Sequence, residues 1–156
     1  MRTQRFLALG LVTVLALAAC SKSSTTPAPS VATTAAPAPS GSGAGAAIAA
    51  TEQDFKISLN PTTGAAGDTT FDVTNNGPST HEFVVFKTDL APESLPIKDG
   101  IVDEKGKGVT QLGVVADIAP GETKDLSLQL EPGSYVAICN LPGHYQAGMH
   151  AGFTVS

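Results

Sequence analysis

The sequence predicts an all-β fold, an antiparallel β-sandwich over residues 49–156, and three observations carry that prediction. Apolar side chains recur with period two, as in Phe71-Asp72-Val73-Thr74 and Leu126-Ser127-Leu128-Gln129-Leu130, which turns one face of an extended strand inward. Turn formers punctuate these runs at Asn60-Pro61, Gly67-Asp68, Asn75-Asn76-Gly77-Pro78, Pro120-Gly121 and Pro132-Gly133. Helical periodicity is almost absent, and the length available suits one sandwich domain rather than two.

Ahead of this domain the chain reads as an export signal and a spacer. Residues 1–19 carry Arg2 and Arg5, then an apolar run, then Leu17-Ala18-Ala19-Cys20, the pattern of a signal peptide rather than of a spanning helix. The ending resembles the bacterial lipoprotein signal, in which cleavage precedes the cysteine and acyl chains are added to it. Cys20 is therefore expected to be lipidated. Two acyl chains anchor a protein stably where one does so marginally, so the expected location is the outer face of the cell membrane or the periplasmic face of a membrane. Residues 20–48 hold Cys20 and a linker of Ser, Thr, Ala, Pro and Gly, with Lys22 as its one charge. Such a segment buries too little apolar surface to offset its ordering entropy.

Nine Lys plus Arg, less Arg2 and Arg5, leaves seven cations against fourteen Asp plus Glu, a side-chain sum of −7. An acidic surface argues against a nucleic-acid partner and against electrostatic docking on anionic lipid. Export also bears on the thiols. With Cys20 acylated, Cys139 has no partner within the chain, and a lone thiol outside the cytoplasm is buried and inert, paired between chains, or held by a metal.

Along the domain, Phe55, Ile57 and Leu59 are expected to face inward from a first strand, followed by the strands around Phe71 and around Leu126. Phe83-Val84-Val85-Phe86 and Tyr135-Val136-Ala137-Ile138 are continuous apolar runs and suit central strands. Residues 88–111 resist the pattern, with Pro92, Pro96, Gly100, Gly106 and Gly108 and a mixed-charge run over 99–107. This is a long irregular loop, expected to hold one helical turn over 89–95, with a short strand following at 112–116. The charge run reads as a solvated loop.

The chemistry gathers at the carboxyl end. Cys139, His144 and Met149 stand five residues apart across Cys139-Asn140-Leu141-Pro142-Gly143-His144-Tyr145-Gln146-Ala147-Gly148-Met149. Two imidazoles, a thiolate and a weak axial thioether form the ligand set that selects copper in a trigonal, electron-transferring site. Three donors come from this stretch, and the second imidazole must come from His81 or His150. Met149 shares strand parity with Phe153 and Val155, whereas His150 falls in with Gly152 and Thr154, so the two do not reach one ion. His81, which opens the apolar strand after the Asn-Asn-Gly-Pro turn, is the better fourth ligand. Each residue taken alone has a plainer reading, as a small core thiol, a filler methionine or a strand-end histidine. The joint spacing is what favours a metal.

The stretch from Cys139 to Met149, with His81 upstream, resembles the type 1 copper site of the cupredoxins, the blue copper proteins. Its Cys-x4-His-x4-Met spacing is similar to that of auracyanin, rusticyanin and sulfocyanin. The resemblance implies a Greek-key β-sandwich of about seven to eight strands, with one copper held by His81, Cys139, His144 and Met149. It also implies that His144 is the exposed ligand and electron port, ringed by Leu141, Pro142, Tyr145 and Ala147. One residue departs from the pattern: Glu82 stands where azurin and plastocyanin carry an Asn that ties the two ligand loops together, and a Ser79 or Thr80 hydroxyl is the available substitute.

The expected function is a membrane-anchored carrier of single electrons between redox proteins of an electron-transport chain. The alternative is a copper storage or delivery protein without electron turnover, although the open Met- or His-rich cluster of such proteins is missing. An enzyme is not expected: three histidines cannot build a trinuclear copper cluster, and a Cys139–His144 nucleophile has no evident substrate pocket. Structural zinc is disfavoured because Met is a poor zinc ligand.

Overall fold

Residues 46–156 are described by the structure, a computed structural model; the expected signal peptide, Cys20 and the linker as far as residue 45 lie outside the described residues. Eleven strands form among the described residues: β1 (Ala46–Gln53), β2 (Lys56–Asn60), β3 (Thr63–Gly64), β4 (Gly67–Asn75), β5 (His81–Lys87), β6 (Ile97–Lys98), β7 (Ile101–Val102), β8 (Thr110–Ile118), β9 (Thr123–Leu130), β10 (Gly133–Ile138) and β11 (His150–Val155). One sheet runs β2-β1-β4-β9 and the other β3-β11-β10-β5-β8, with β6 and β7 pairing separately as a hairpin. The count exceeds seven to eight because β3, β6 and β7 are two-residue strands.

Period two does its work in β2, β4 and β9, whose side chains alternate between buried or half-buried and more exposed positions. Their inward residues meet those of the second sheet in one core that includes Ile48, Phe71, Val73, Phe83, Tyr135 and Phe153. Phe71 packs at 5.5 Å from Phe83 and 5.4 Å from Phe153, ring centre to ring centre, and Tyr135 stacks on Phe153 at 5.1 Å. Burying each such ring contributes roughly 1.5–3 kcal/mol; the Phe71 contacts join the two sheets, while Tyr135 and Phe153 are cross-strand partners within one.

The continuous apolar runs are central strands, as expected: β5 lies between β10 and β8, and β10 between β11 and β5. Their outer residues Val84, Phe86, Val136 and Ile138 form a second core with Leu95, Val102 and Tyr145. The long segment between β5 and β8 thus covers the outer face of the second sheet, which is why these strands are apolar on both sides.

Four expectations need correction. The domain boundary at residue 49 falls inside β1, whose Ile48 is fully buried, so the folded region reaches back to Ala46. Residues 89–95 form no helix, only a turn in which Ser94 N donates to Ala91 O at 2.8 Å; Pro92 has no N–H to continue a helical ladder. The short strand at 112–116 is the middle of the nine-residue β8. Pairing is not antiparallel throughout, since β1 runs parallel to β4 and β3 parallel to β11. The chain visits the second sheet at β3 before returning as β4, and so comes back beside β1 in the same direction.

Candidate metal centre

The site lies where β5 begins and β10 ends. His81 is the first residue of β5 and Cys139 follows the last residue of β10, strands that pair antiparallel with Ile138 opposite Val84. On β5, His81 shares parity with Phe83 and Val85, both in the core between the sheets. Cys139 likewise continues the inward set Tyr135 and Ala137. Period two therefore delivers imidazole and thiol to the same end of the same core.

His144 arrives by a loop that is stitched to itself. Cys139 N donates to Met149 O at 3.1 Å, Met149 N to His144 O at 3.1 Å, and His144 N to Leu141 O at 3.0 Å. Gly143, at φ 82°, occupies the left-handed region that lets the turn after Pro142 close. The long segment braces this loop from outside. The Asn140 side chain accepts from Val102 N at 2.8 Å and donates to Val102 O at 3.2 Å, while the Tyr145 hydroxyl accepts from Leu95 N and donates to Pro92 O, both at 2.8 Å. Asn140 also donates to Glu104 Oε1 at 3.3 Å, so the charge run over 99–107 is not purely solvated.

His81 Nδ1 and His144 Nδ1 lie 3.8 Å and 3.4 Å from Cys139 Sγ, and the three donor atoms all fall within 4.8 Å of one another. Donors that sit about 2.0–2.3 Å from an ion at the centre of their triangle are separated by roughly 3.5–3.9 Å, so the two sulfur–nitrogen edges fit a shared ion. Among the described residues this is the group of three donors that could hold a metal. Met149 is fully buried in the core beside Cys139, with the parity expected of it. His150 opens β11, packs its ring 5.4 Å from Tyr145 and does not join the group.

Burial governs the protonation of these groups. It pushes the Cys139 thiol up to about 11; the Glu82 and Leu141 backbone N–H groups oppose the rise, and the Glu52 and Glu82 carboxylates add to it. The metal-free thiol therefore keeps its proton at neutral pH, and any metal taken up must displace it. Burial lowers His81 as well, with Asp54 opposing and His144 adding to the shift.

Several residues of the site were not legible as such. Asp54 Oδ1 lies 3.0 Å from His81 Nε2, and Ser79 Oγ donates to Asp54 Oδ2 at 2.8 Å. Ser79 thus serves His81 rather than the Cys139 loop. The link between the two ligand segments is instead the Glu82 backbone N–H, which points to Cys139 Sγ at 3.4 Å and does not depend on the Glu82 side chain. Phe55, expected inward, is 51% exposed: it sits in the turn between β1 and β2, and its ring meets that of His144 edge-on at 5.6 Å. The Asp54-Phe55 pair reads as the continuation of an alternating strand unless the turn is placed there, which is why parity misassigned it. Tyr145, expected beside the His144 port, is buried on the loop's other side.

No family model and no curated protein matches the chain in sequence. Among solved structures, the chain is similar to dithionite-reduced auracyanin from the photosynthetic bacterium Roseiflexus castenholzii, at 19% identity over 73% of this chain and 99% of that one, with a TM-score of 0.52. It is similar to auracyanin B at 20% identity, over 70% and 88% of the two chains, with a TM-score of 0.54. Reduced rusticyanin stands at 18% identity, over 74% and 81%, with a TM-score of 0.51. The fold is therefore that of the cupredoxins, as the Cys139 to Met149 spacing suggested.

Proposed function

We propose that this protein is a blue copper carrier of single electrons, with the metal held by His81, Cys139, His144 and Met149. The observation that carries the reading is the convergence of Cys139 Sγ with the Nδ1 atoms of His81 and His144 at 3.8 Å and 3.4 Å. A fold shared with rusticyanin, described as a copper protein, supports the same metal. Copper held by a thiolate and two imidazoles supplies a Cu(II)/Cu(I) couple whose oxidation states accept one geometry.

The chain's own residues supply what such a couple needs. Cys139, His81 and Met149 are fully buried, so water is kept from three of the four positions. The backbone stitching of the 139–149 loop and its braces from Asn140 and Tyr145 hold the donors in place. His144 alone among the three converging donors is partly exposed, and it is flanked by the exposed Phe55, Pro142 and Ala147. A small apolar rim suits brief, weak docking of a redox partner. Export and a lipid anchor at Cys20 would keep such a carrier beside membrane-bound redox proteins on the outer or periplasmic face.

Addition of Cu(II) to the metal-free protein is expected to raise an intense visible charge-transfer band, and Cys139→Ser to abolish it. A protein that binds only Cu(I) and stays colourless would overturn the carrier and favour storage or delivery. Fractionation of cells tests the anchor, since Cys20→Ser should release the protein from the membrane.

A further inference from the structure

We propose that Asp54 is a positioning residue for His81, fixing its proton on Nε2 and presenting Nδ1 to the metal. The proposal rests on the reading of the site as a metal centre and names a residue on neither ligand segment.

His81 Nε2 is fully buried and finds no well-aligned hydrogen-bond partner, yet Asp54 Oδ1 stands 3.0 Å from it. A bent contact of this length still decides the tautomer. An unprotonated Nε2 would set its lone pair against a carboxylate oxygen, whereas a protonated one turns repulsion into a charge-assisted contact. With the proton there, Nδ1 keeps its lone pair and faces Cys139 Sγ. Carboxylate–histidine–metal arrangements use this same division of the ring.

Asp54 is itself held. Its other oxygen accepts from Ser79 Oγ at 2.8 Å, and its side chain is only 24% exposed. The turn that carries it fits between two glycines. A Cβ on Gly77 would stand 2.8 Å from Asp54 Oδ1 and 3.0 Å from His81 Nε2, and one on Gly148 would stand 3.1 Å from Phe55 O. Space for a close Asp54–His81 approach is thus left open by the Asn76-Gly77-Pro78 turn on one side and by the ligand loop on the other. The turn between β1 and β2 is a third segment of the site: Asp54 meets one histidine and Phe55 the other.

The test uses the full-length protein, first without metal. Long-range nitrogen–proton correlation spectra of the histidine rings are expected to show His81 as the Nε2–H tautomer in the wild type and in Asp54→Asn, whose amide oxygen still accepts. In Asp54→Ala the ring is expected to shift toward a mixture of tautomers. Competition titration should then give Asp54→Ala a Cu(II) affinity about 10–100-fold weaker, with Asp54→Asn recovering most of it. The reduction potential should rise in both variants, because both remove a negative charge beside the site; a general loss of structure would not divide the two variants in this way. Should Asp54→Ala fail to fold, Ser79→Ala, which frees only Oδ2, is expected to move affinity in the same direction by less. A wild-type His81 protonated on Nδ1, or an Asp54→Ala protein unchanged in tautomer and affinity, overturns the assignment. A wild type that binds no copper overturns the metal reading instead, and the tautomer spectra then decide the role of Asp54 alone.

Discussion

His81 and His144 face the same thiol from opposite walls of the centre, and the walls are built from different materials. The amino-terminal wall comprises the end of β1, its turn into β2 and the 75–82 segment, and it carries two acids: Asp54 against the His81 ring and, two residues earlier, the buried Glu52 with no hydrogen-bond partner at either oxygen. The carboxyl-terminal wall is backbone. Its loop bonds to itself and is braced by neutral side chains, Asn140 and Tyr145, against the long segment. One wall carries acids in a poorly solvated place, which makes it sensitive to protonation; the other is held mainly by hydrogen bonds between neutral groups, the Asn140–Glu104 contact excepted.

The largest expected effect tests the acidic wall. Burial, with the Glu82 carboxylate adding to it, pushes Glu52 from 4.5 up to about 8. A carboxyl whose folded pKa is raised stabilises the fold fully below its unfolded pKa, and that contribution is lost as pH rises through the folded value. Stability of the metal-free protein should therefore fall between about pH 4.5 and 8, by on the order of 5 kcal/mol at about 1.36 kcal/mol per pH unit. Urea unfolding at pH 5, 7 and 9 measures it, and Glu52→Gln should flatten the profile. A wild-type profile that is already flat would mean that the wall does not carry a buried acid.

A middle-sized effect tests the neutral wall. Tyr145→Phe leaves the Leu95 N–H and the Pro92 carbonyl without their partner, at a cost of about 1–3 kcal/mol that does not vary across the same pH range. Amide exchange at Leu95 should quicken with it. An unchanged midpoint would show that the long segment does not depend on this brace.

The smallest effect falls where the walls touch. Phe55 reaches from one wall to the His144 ring of the other, but half of it faces solvent, so Phe55→Ala should shift stability by no more than about 0.5 kcal/mol. Modification of His144 by diethyl pyrocarbonate in the metal-free protein should nonetheless quicken, because the ring edge that covers it is gone. If the rate is unchanged, Phe55 does not shield His144.

Much of this was written in the chain. Alternation in Phe71-Asp72-Val73 and in Leu126 to Leu130 marked strands with one buried face, because a pleated backbone sends successive side chains to opposite sides. The same parity put Met149 inward and His150 elsewhere, and the even spacing of Cys139, His144 and Met149 allowed one loop to fold back on one point. These inferences need only local geometry, and local geometry is periodic.

What the tertiary structure alone decided is where distant segments come to rest. Nothing in Asp54-Phe55 announces that a two-residue turn will lie between Gly77 and Gly148 and touch both histidines. Nothing in 88–109 announces that this stretch will cover the outer face of β5 and β10 and grip Asn140 and Tyr145. Glu52 looks like any polar residue of a strand until β1 turns it, with Ile48 and Ala50, toward the buried face. Such contacts depend on which strands become neighbours, and that choice is made by the packing of the whole core rather than by any stretch of sequence. The sequence by itself determined the donors and the faces they occupy; the assembled sandwich determined what holds them there.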